Sequence, residues 1–152
     1  MSTSFLSACV FAVALTLGCA GGTITVKYDG SVECAHCKMN ILDNKFGAAL
    51  ATAKGKVYYF DGPECMVPFV IKSDELRSQE VVQQLVTDYN TPGTLIPVEK
   101  ANFLHSPALQ SPMAGNVAAF SDAQTLESAK VALPNAEQWT WSQVQAKFRN
   151  RR

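Results

Sequence analysis

The sequence predicts an α+β fold made of two small, related β-β-α-β units packed together. A Gly-x-Val-x-x-Phe pattern occurs at Gly55 to Phe60 and again at Gly115 to Phe120, and a segment with helical character follows each copy. The chain of 152 residues is long enough for one ordinary domain, but each half alone is too short to bury a core. We therefore expect the two units to fold as one body.

The first 18 residues have the composition of an export signal. Residues 5–17 are apolar but too short for a membrane-spanning helix, and polar sequence follows Cys19. This resembles a bacterial lipoprotein signal, in which the cysteine after a small residue carries the lipid. We predict a signal peptide over 1–18, a lipid on Cys19 and a tether over 19–31; the alternative is ordinary cleavage near Ala20. Either signal exports the protein. The lipid would hold it on the cell membrane or the outer membrane, facing the periplasm or the exterior.

The first predicted unit, with the metal site, spans residues 32–90. Residues 46–52 and 57–60 are extended runs joined by a turn around Gly55, which predicts a hairpin. Residues 23–28, ahead of this unit, alternate in the way a short strand does.

A helix should follow the hairpin. Asp61 is expected to cap it, Pro63 lies in its first turn, and Pro68 should kink or shorten it. A short helical turn near 73–79 and then a strand complete the first unit.

The second predicted unit spans residues 91–152. After its copy of the repeated strand, Ser121 and Gln124 form a capping box for a helix that Pro134 ends. The buried stripe of this helix consists of apolar residues: Ala123, Leu126, Ala129 and Leu133. The other expected elements are an edge strand with Pro97, a closing strand over 138–144 and a frayed basic tail from Lys147.

Charge and motif content exclude several classes of function. The chain has 13 basic and 13 acidic side chains, so nucleic-acid binding has no electrostatic support. The sequence shows no paired-carboxylate site, Ser/His/Asp arrangement or phosphate-binding glycine loop. We therefore expect neither an enzyme nor a small-molecule substrate.

The cysteine count points to a metal. Of five cysteines, Cys9 lies in the signal and Cys19 is the lipid site, which leaves Cys34, Cys37 and Cys65 in the folded part. An exported disulfide framework would use an even number. Three thiols kept together are better explained by a bound metal, or by one disulfide plus a free thiol.

The sulfur-rich stretch from Cys34 to Met39 favours a soft metal. Thiolates suit Cu(I) and Zn(II), whereas a thioether is a poor zinc ligand, so Met39 two residues after Cys37 shifts the prediction toward copper. His36 is a further candidate ligand. Cys65, in the first turn of the predicted helix, should be favoured as a thiolate by the helix dipole.

A further sulfur is expected from the second unit. Met113 lies among small residues in a loop and is a candidate for the opposite wall of the site, whereas Met66 should be packed in the core. The candidate metal ligands are therefore the following: Cys34, His36, Cys37, Met39, Cys65 and Met113.

Two other functions remain open. A structural zinc module would use the three cysteines and His36. A thiol-disulfide oxidoreductase would cycle a Cys34–Cys37 disulfide, although the turn-forming residues after this pair do not favour the helix that such enzymes use. The same disulfide could form in the metal-free state of a copper site.

The order of these motifs resembles the NosL family of copper-carrying lipoproteins, which serve the assembly of nitrous oxide reductase. The likeness rests on Cys-x-Met, on Gly-Lys-x-Tyr-x-Phe-Asp over 55–61 and on Ser-Pro-Met-x-Gly over 111–115. The resemblance implies two β-β-α-β units, with Cys37 and Met39 as Cu(I) ligands. Its implied partner is a copper-accepting cuproenzyme or that enzyme's maturation complex.

Part of the same stretch also resembles small treble-clef domains of the heavy-metal-sensing and YHS type. These domains often carry a cysteine where this sequence has Asp61, and that difference argues against a closed four-thiolate zinc site. We therefore expect an exported, membrane-anchored Cu(I) chaperone.

Overall fold

The computed structural model describes residues 23–151. Within this range the chain forms seven strands and three α-helices, and the strands make two antiparallel sheets. This confirms the predicted α+β fold class. The predicted signal peptide and Cys19 lie outside the described residues. No helix among the described residues has the length and apolar character needed to cross a membrane.

The first sheet contains four strands. Along the chain, a hairpin comes first, then a helix and then two further strands. Its elements are β1 (Ala48–Thr52), β2 (Val57–Phe60), α1 (Pro63–Lys72), β3 (Val81–Thr87) and β4 (Leu95–Pro97). The strand order is β2-β1-β3-β4, and both β2 and β3 run antiparallel to β1. The expected hairpin and the short helical turn before β3, at Asp74–Leu76, are both present. Pro97 lies in an edge strand, as predicted, but this strand pairs with β3 in the first sheet and not with the strands of the second unit, where it was expected.

The second sheet repeats this connectivity with three strands. Its elements are β5 (Asn102–His105), β6 (Val117–Phe120), α2 (Ala123–Ala132), β7 (Glu137–Trp139) and α3 (Trp141–Phe148). The strand order is β6-β5-β7, and both β6 and β7 run antiparallel to β5. In both sheets the first hairpin strand is central, and the strand after the helix pairs with it. The two β-β-α-β units predicted from the repeated pattern are therefore related in topology.

The main hydrophobic core draws on both sheets. Phe60 and Met66 of the first half are buried together with Phe103, Val144 and Phe148 of the second half. Helices α1 and α3 pack against each other across this core. A smaller cluster lies under α2 and includes Phe46, Leu104, Leu109, Ala118, Phe120 and Leu126. The shared main core explains why neither half needs to be stable alone.

Three local predictions on helix starts and strands were wrong. Residues 23–28 form no strand. Asp61 does not cap α1, whose N-cap is Gly62 without a side-chain hydrogen bond. The cap of α2 is Asp122, which accepts from the Thr125 backbone N–H, so the helix starts one residue later than the Ser121 box requires.

The closing segment also differs from the prediction. The strand expected over 138–144 is confined to β7, and α3 then begins after Thr140. Thr140 and Gln143 form a capping box: the Thr140 Oγ accepts from the Gln143 N–H, and the Gln143 side chain accepts from the Thr140 N–H at 2.8 Å. Pro68 does not end α1, which continues to Lys72.

Candidate metal centre

The first two cysteines are held in a tight loop over residues 30–41. The backbone N–H of Ile41 donates to the Val32 carbonyl at 2.9 Å, and that of Cys34 donates to the Met39 carbonyl at 2.8 Å. Lys38 has a φ of 64°, in the left-handed region, which closes the turn after Cys37. The Cys-x-Met segment therefore begins in a turn.

This loop is attached to the end of the first hairpin. The Ala35 N–H donates to the Tyr59 carbonyl at 2.8 Å, which places the loop beside the last residues of β2. Asp61 directly follows β2, and Cys65 lies in the first turn of α1. Three segments of the chain therefore converge at one point.

The convergence produces a compact cluster of four side chains. The Sγ atoms of Cys34, Cys37 and Cys65 and a carboxylate oxygen of Asp61 all lie within 4.8 Å of one another. All three cysteines are free thiols, and the Cys37 thiol donates to Asp61 Oδ2 at 3.0 Å. Cys34, Cys65 and Asp61 are buried, whereas Cys37 is partly exposed. The cluster is therefore reached from solvent on the Cys37 side.

The other candidate ligands occupy different positions. His36 is partly exposed and does not belong to this four-residue cluster. Met39, two residues after Cys37 in the sequence, is 49% exposed, and Met113 packs partly buried against the main core. Met66 is fully buried in α1, in the packing role expected for it.

Negative charge in the cluster is concentrated on Cys34. The pKa of Cys34 is lowered to about 4, mainly because the Cys65 thiol donates a hydrogen bond to it. Backbone N–H groups of Cys37, Asp61 and His36 act in the same direction. The backbone therefore supplies fixed N–H donors around one sulfur, and these donors stabilise its thiolate.

The neighbouring groups resist ionisation. Burial raises the pKa of Cys37 to about 12 and that of Asp61 to about 6. The pKa of Cys65 is also raised, first because its thiol donates to Cys34 and then because it is buried. Its position in the first turn of α1 was expected to favour a thiolate, but the adjacent Cys34 anion outweighs the helix dipole.

These residues suit a soft or borderline cation. Bringing a cation among the sulfurs would release the protons of Cys37 and Cys65, because its charge stabilises their thiolates. Three sulfurs favour Cu(I) or Zn(II), and the Asp61 oxygen adds a harder ligand that Zn(II) accepts. Hard cations such as Mg²⁺ are poorly matched.

Asp61 is the cluster residue that sequence reasoning missed. Its sequence context predicts a helix cap, because Asp is common at the N-terminus of a helix that has proline in its first turn. The treble-clef resemblance held the relevant signal, since those domains place a cysteine ligand at this position.

Fold and cluster together define an α+β protein with a buried, thiol-rich candidate metal site. A family model for NosL matches residues 25–130, most of the described chain. The chain belongs to the NosL family.

A solved structure shares this fold. It is described as the copper chaperone NosL from Shewanella denitrificans, and it is 18% identical over 77% of this chain and 92% of its own, with a TM-score of 0.62. A search of curated proteins gave no match.

Proposed function

We propose that this protein is an exported, membrane-anchored Cu(I) carrier and not an enzyme. The observation that carries the proposal is the cluster of three free thiols within 4.8 Å, of which Cys37 is partly exposed. A carrier must bind its metal through sulfur and must also let an acceptor reach it. The similarity in fold to a protein described as a copper chaperone supports the same class.

Cys37 and Met39 are the proposed entry ligands. Both are accessible to solvent, and the neutral Met39 thioether would add a soft ligand without adding charge. A third sulfur would come from Cys34, Cys65 or Met113. A thioether ligand exchanges more readily than a thiolate, which suits transfer to an acceptor.

The proposed acceptor is a cuproenzyme or its maturation complex outside the cytoplasm, with nitrous oxide reductase as the first candidate. This rests on family membership and on the export signal predicted from the sequence. A lipid on Cys19 would confine delivery to a membrane surface. Delivery to another copper enzyme would use the same residues.

A structural zinc module is the second candidate, and Asp61 is the observation that favours it. With Asp61 in place of His36, the cluster offers three thiolates and one carboxylate, which is enough for a closed four-coordinate zinc site. Such a module would lose its fold when the metal is removed.

The test is an anaerobic titration of the reduced protein with Cu(I) against a chromophoric chelator, repeated with Zn(II) and with Met39→Ala. Stoichiometric Cu(I) binding that outcompetes the chelator and weakens in Met39→Ala supports the carrier. Tight Zn(II) binding with a Cu(I) affinity unchanged by Met39→Ala would favour the zinc module. Reversible cycling of a Cys34–Cys37 disulfide at a physiological potential, with no metal bound, would favour the oxidoreductase.

A further inference from the structure

Glu64 is a buried acid next to Cys65 that the metal cluster does not use. Its side chain is fully buried, and its Oε1 accepts a hydrogen bond from the Ser111 hydroxyl at 2.6 Å. Its Oε2 has no partner among the described residues. Burying a carboxyl group costs free energy unless hydrogen bonds or a paired charge compensate it.

Ser111 organises the loop that carries Met113. Its Oγ accepts from the backbone N–H groups of Gly115 and Asn116, each at 2.9 Å, while it donates to Glu64. One donor and two acceptor positions are the full capacity of a hydroxyl. We name residues 111–116 the Met113 loop; Ser111 therefore closes this loop and ties it to α1 at the same time.

Two glycines pack closely against the side chain of Glu64. A Cβ on Gly115 would lie 2.7 Å from Glu64 Cδ, and one on Gly62 would lie 2.5 Å from Glu64 Oε2. Both positions are therefore restricted to glycine as long as Glu64 keeps its place. Arg151 adds a third attachment by donating to the Met113 carbonyl.

We infer that Glu64 and Ser111 are positioning residues, which together form a latch that holds the Met113 loop against the first turn of α1 and keeps Met113 available to the metal site. Glu64 and Cys65 are consecutive in that turn, so one residue faces the loop of the second unit while the next faces the thiols. Through the latch, the second β-β-α-β unit contributes to a site that lies in the first. This inference rests on the proposed Cu(I) function.

A double-mutant cycle on Cu(I) affinity tests the latch. Ser111→Ala should raise the Cu(I) dissociation constant about tenfold in the otherwise unchanged protein, a loss typical of one buried hydrogen bond. In a Met113→Ala background the same substitution should change it less than about twofold, because the residue that the latch positions is gone.

Thr87→Val is the matched control. Thr87 also has a buried hydroxyl, which donates to the Gly47 carbonyl at 2.7 Å and makes no hydrogen bond to the Met113 loop. Thr87→Val should lower thermal stability by about as much as Ser111→Ala does, and it should leave Cu(I) affinity unchanged. If Ser111→Ala does not fold, Glu64→Asp serves in its place, since it withdraws the acceptor by one methylene and keeps the carboxyl group.

Equal losses in the two backgrounds, or no loss on Ser111→Ala, would overturn the latch. A loss in Thr87→Val as large as that in Ser111→Ala would do the same, because the effect would then follow stability. If the unchanged protein does not bind Cu(I), the proposed function itself is wrong. If it binds Cu(I) but the effects of Ser111→Ala and Met113→Ala are additive, only the latch is wrong.

Discussion

The thiol of Cys37 donates a hydrogen bond of 3.0 Å to Oδ2 of Asp61, the residue directly after β2. This contact places a carboxylate oxygen beside the only one of the three described cysteines that is partly exposed. It makes Asp61 part of the cluster, and it bears directly on the choice between copper and zinc.

Asp61→Asn should separate the two metals. The substitution removes a charged oxygen, which contributes little to a soft Cu(I) ion but completes a Zn(II) site. We expect Zn(II) affinity to fall roughly 10- to 100-fold, the range seen when a supporting group at a metal site is lost. Cu(I) affinity should change less than about threefold, as measured by chelator competition for each metal.

Asp61→Cys is the matched opposite change. It supplies the fourth thiolate found in treble-clef domains, so Zn(II) affinity should rise. A fall in Cu(I) affinity on Asp61→Asn that equals or exceeds the fall for Zn(II) would contradict this division of roles.

The metal-free protein should carry one thiolate at neutral pH. Cys34 has a pKa of about 4 because the Cys65 thiol and backbone N–H groups donate to it, whereas Cys37 has a pKa of about 12. Thiolate absorbance near 240 nm should therefore persist at pH 6 and disappear in Cys34→Ser. Absorbance that appears only above pH 8 in the unchanged protein would show that Cys34 is an ordinary thiol.

The same shifts determine how stability depends on pH. Folded Cys34 has a pKa below the ordinary thiol value of 9.0, so the folded state binds fewer protons and gains stability as pH rises from about 4 to 9. Asp61 has a raised pKa of about 6 and opposes this gain below that pH. Above 9, the raised pKa of Cys37 removes stability.

We therefore expect the stability of the reduced, metal-free protein to rise between about pH 6 and 9. Urea midpoints across this range would measure the rise. Cys34→Ser should flatten it, and a midpoint that falls toward pH 9 in the unchanged protein would contradict the assignment.

Sequence reasoning succeeded where local chemistry decides structure. The turn at Gly55 fixed the first hairpin, and the repeated Val-x-x-Phe strand identified β6 and its topology. Cys34, Cys37 and Cys65 were brought together as expected, because the tight loop and the first turn of α1 both lie against the end of β2.

The failures arose where tertiary contacts outweigh local preference. Asp61 has the sequence context of a cap, but its carboxyl is drawn to Cys37. Ser121 is a good N-cap, yet its hydroxyl donates to Asp88 and Asp122 takes the cap. The capping box of Thr140 and Gln143 is a sequence signal for helix α3. The two tryptophans beside it favour a strand, and this led to the wrong prediction.

Met39 and Met66 should separate metal binding from stability. Met39 is 49% exposed, so Met39→Ala should change the free energy of unfolding by less than about 0.5 kcal/mol while weakening Cu(I) binding. Met66 is fully buried, so Met66→Ala should cost about 2–5 kcal/mol. Denaturant unfolding of the metal-free forms and chelator competition measure the two effects, and unchanged Cu(I) affinity in Met39→Ala would remove Met39 from the site.

The close approach of Gly115 to Glu64 gives a prediction about stability alone. A methyl group at position 115 would lie 2.7 Å from Glu64 Cδ, so Gly115→Ala should lower the free energy of unfolding by about 1–3 kcal/mol. In a Glu64→Ala background the contacts with the carboxyl group disappear and only the one with Cβ of residue 64, at 2.9 Å, remains, so the same substitution should cost less. Gly93→Ala is the control: its φ of 86° strains any side chain but no atom lies within 4 Å, so its cost should be the same with and without Glu64. Equal costs of Gly115→Ala in both backgrounds would show that the carboxyl of Glu64 does not restrict position 115.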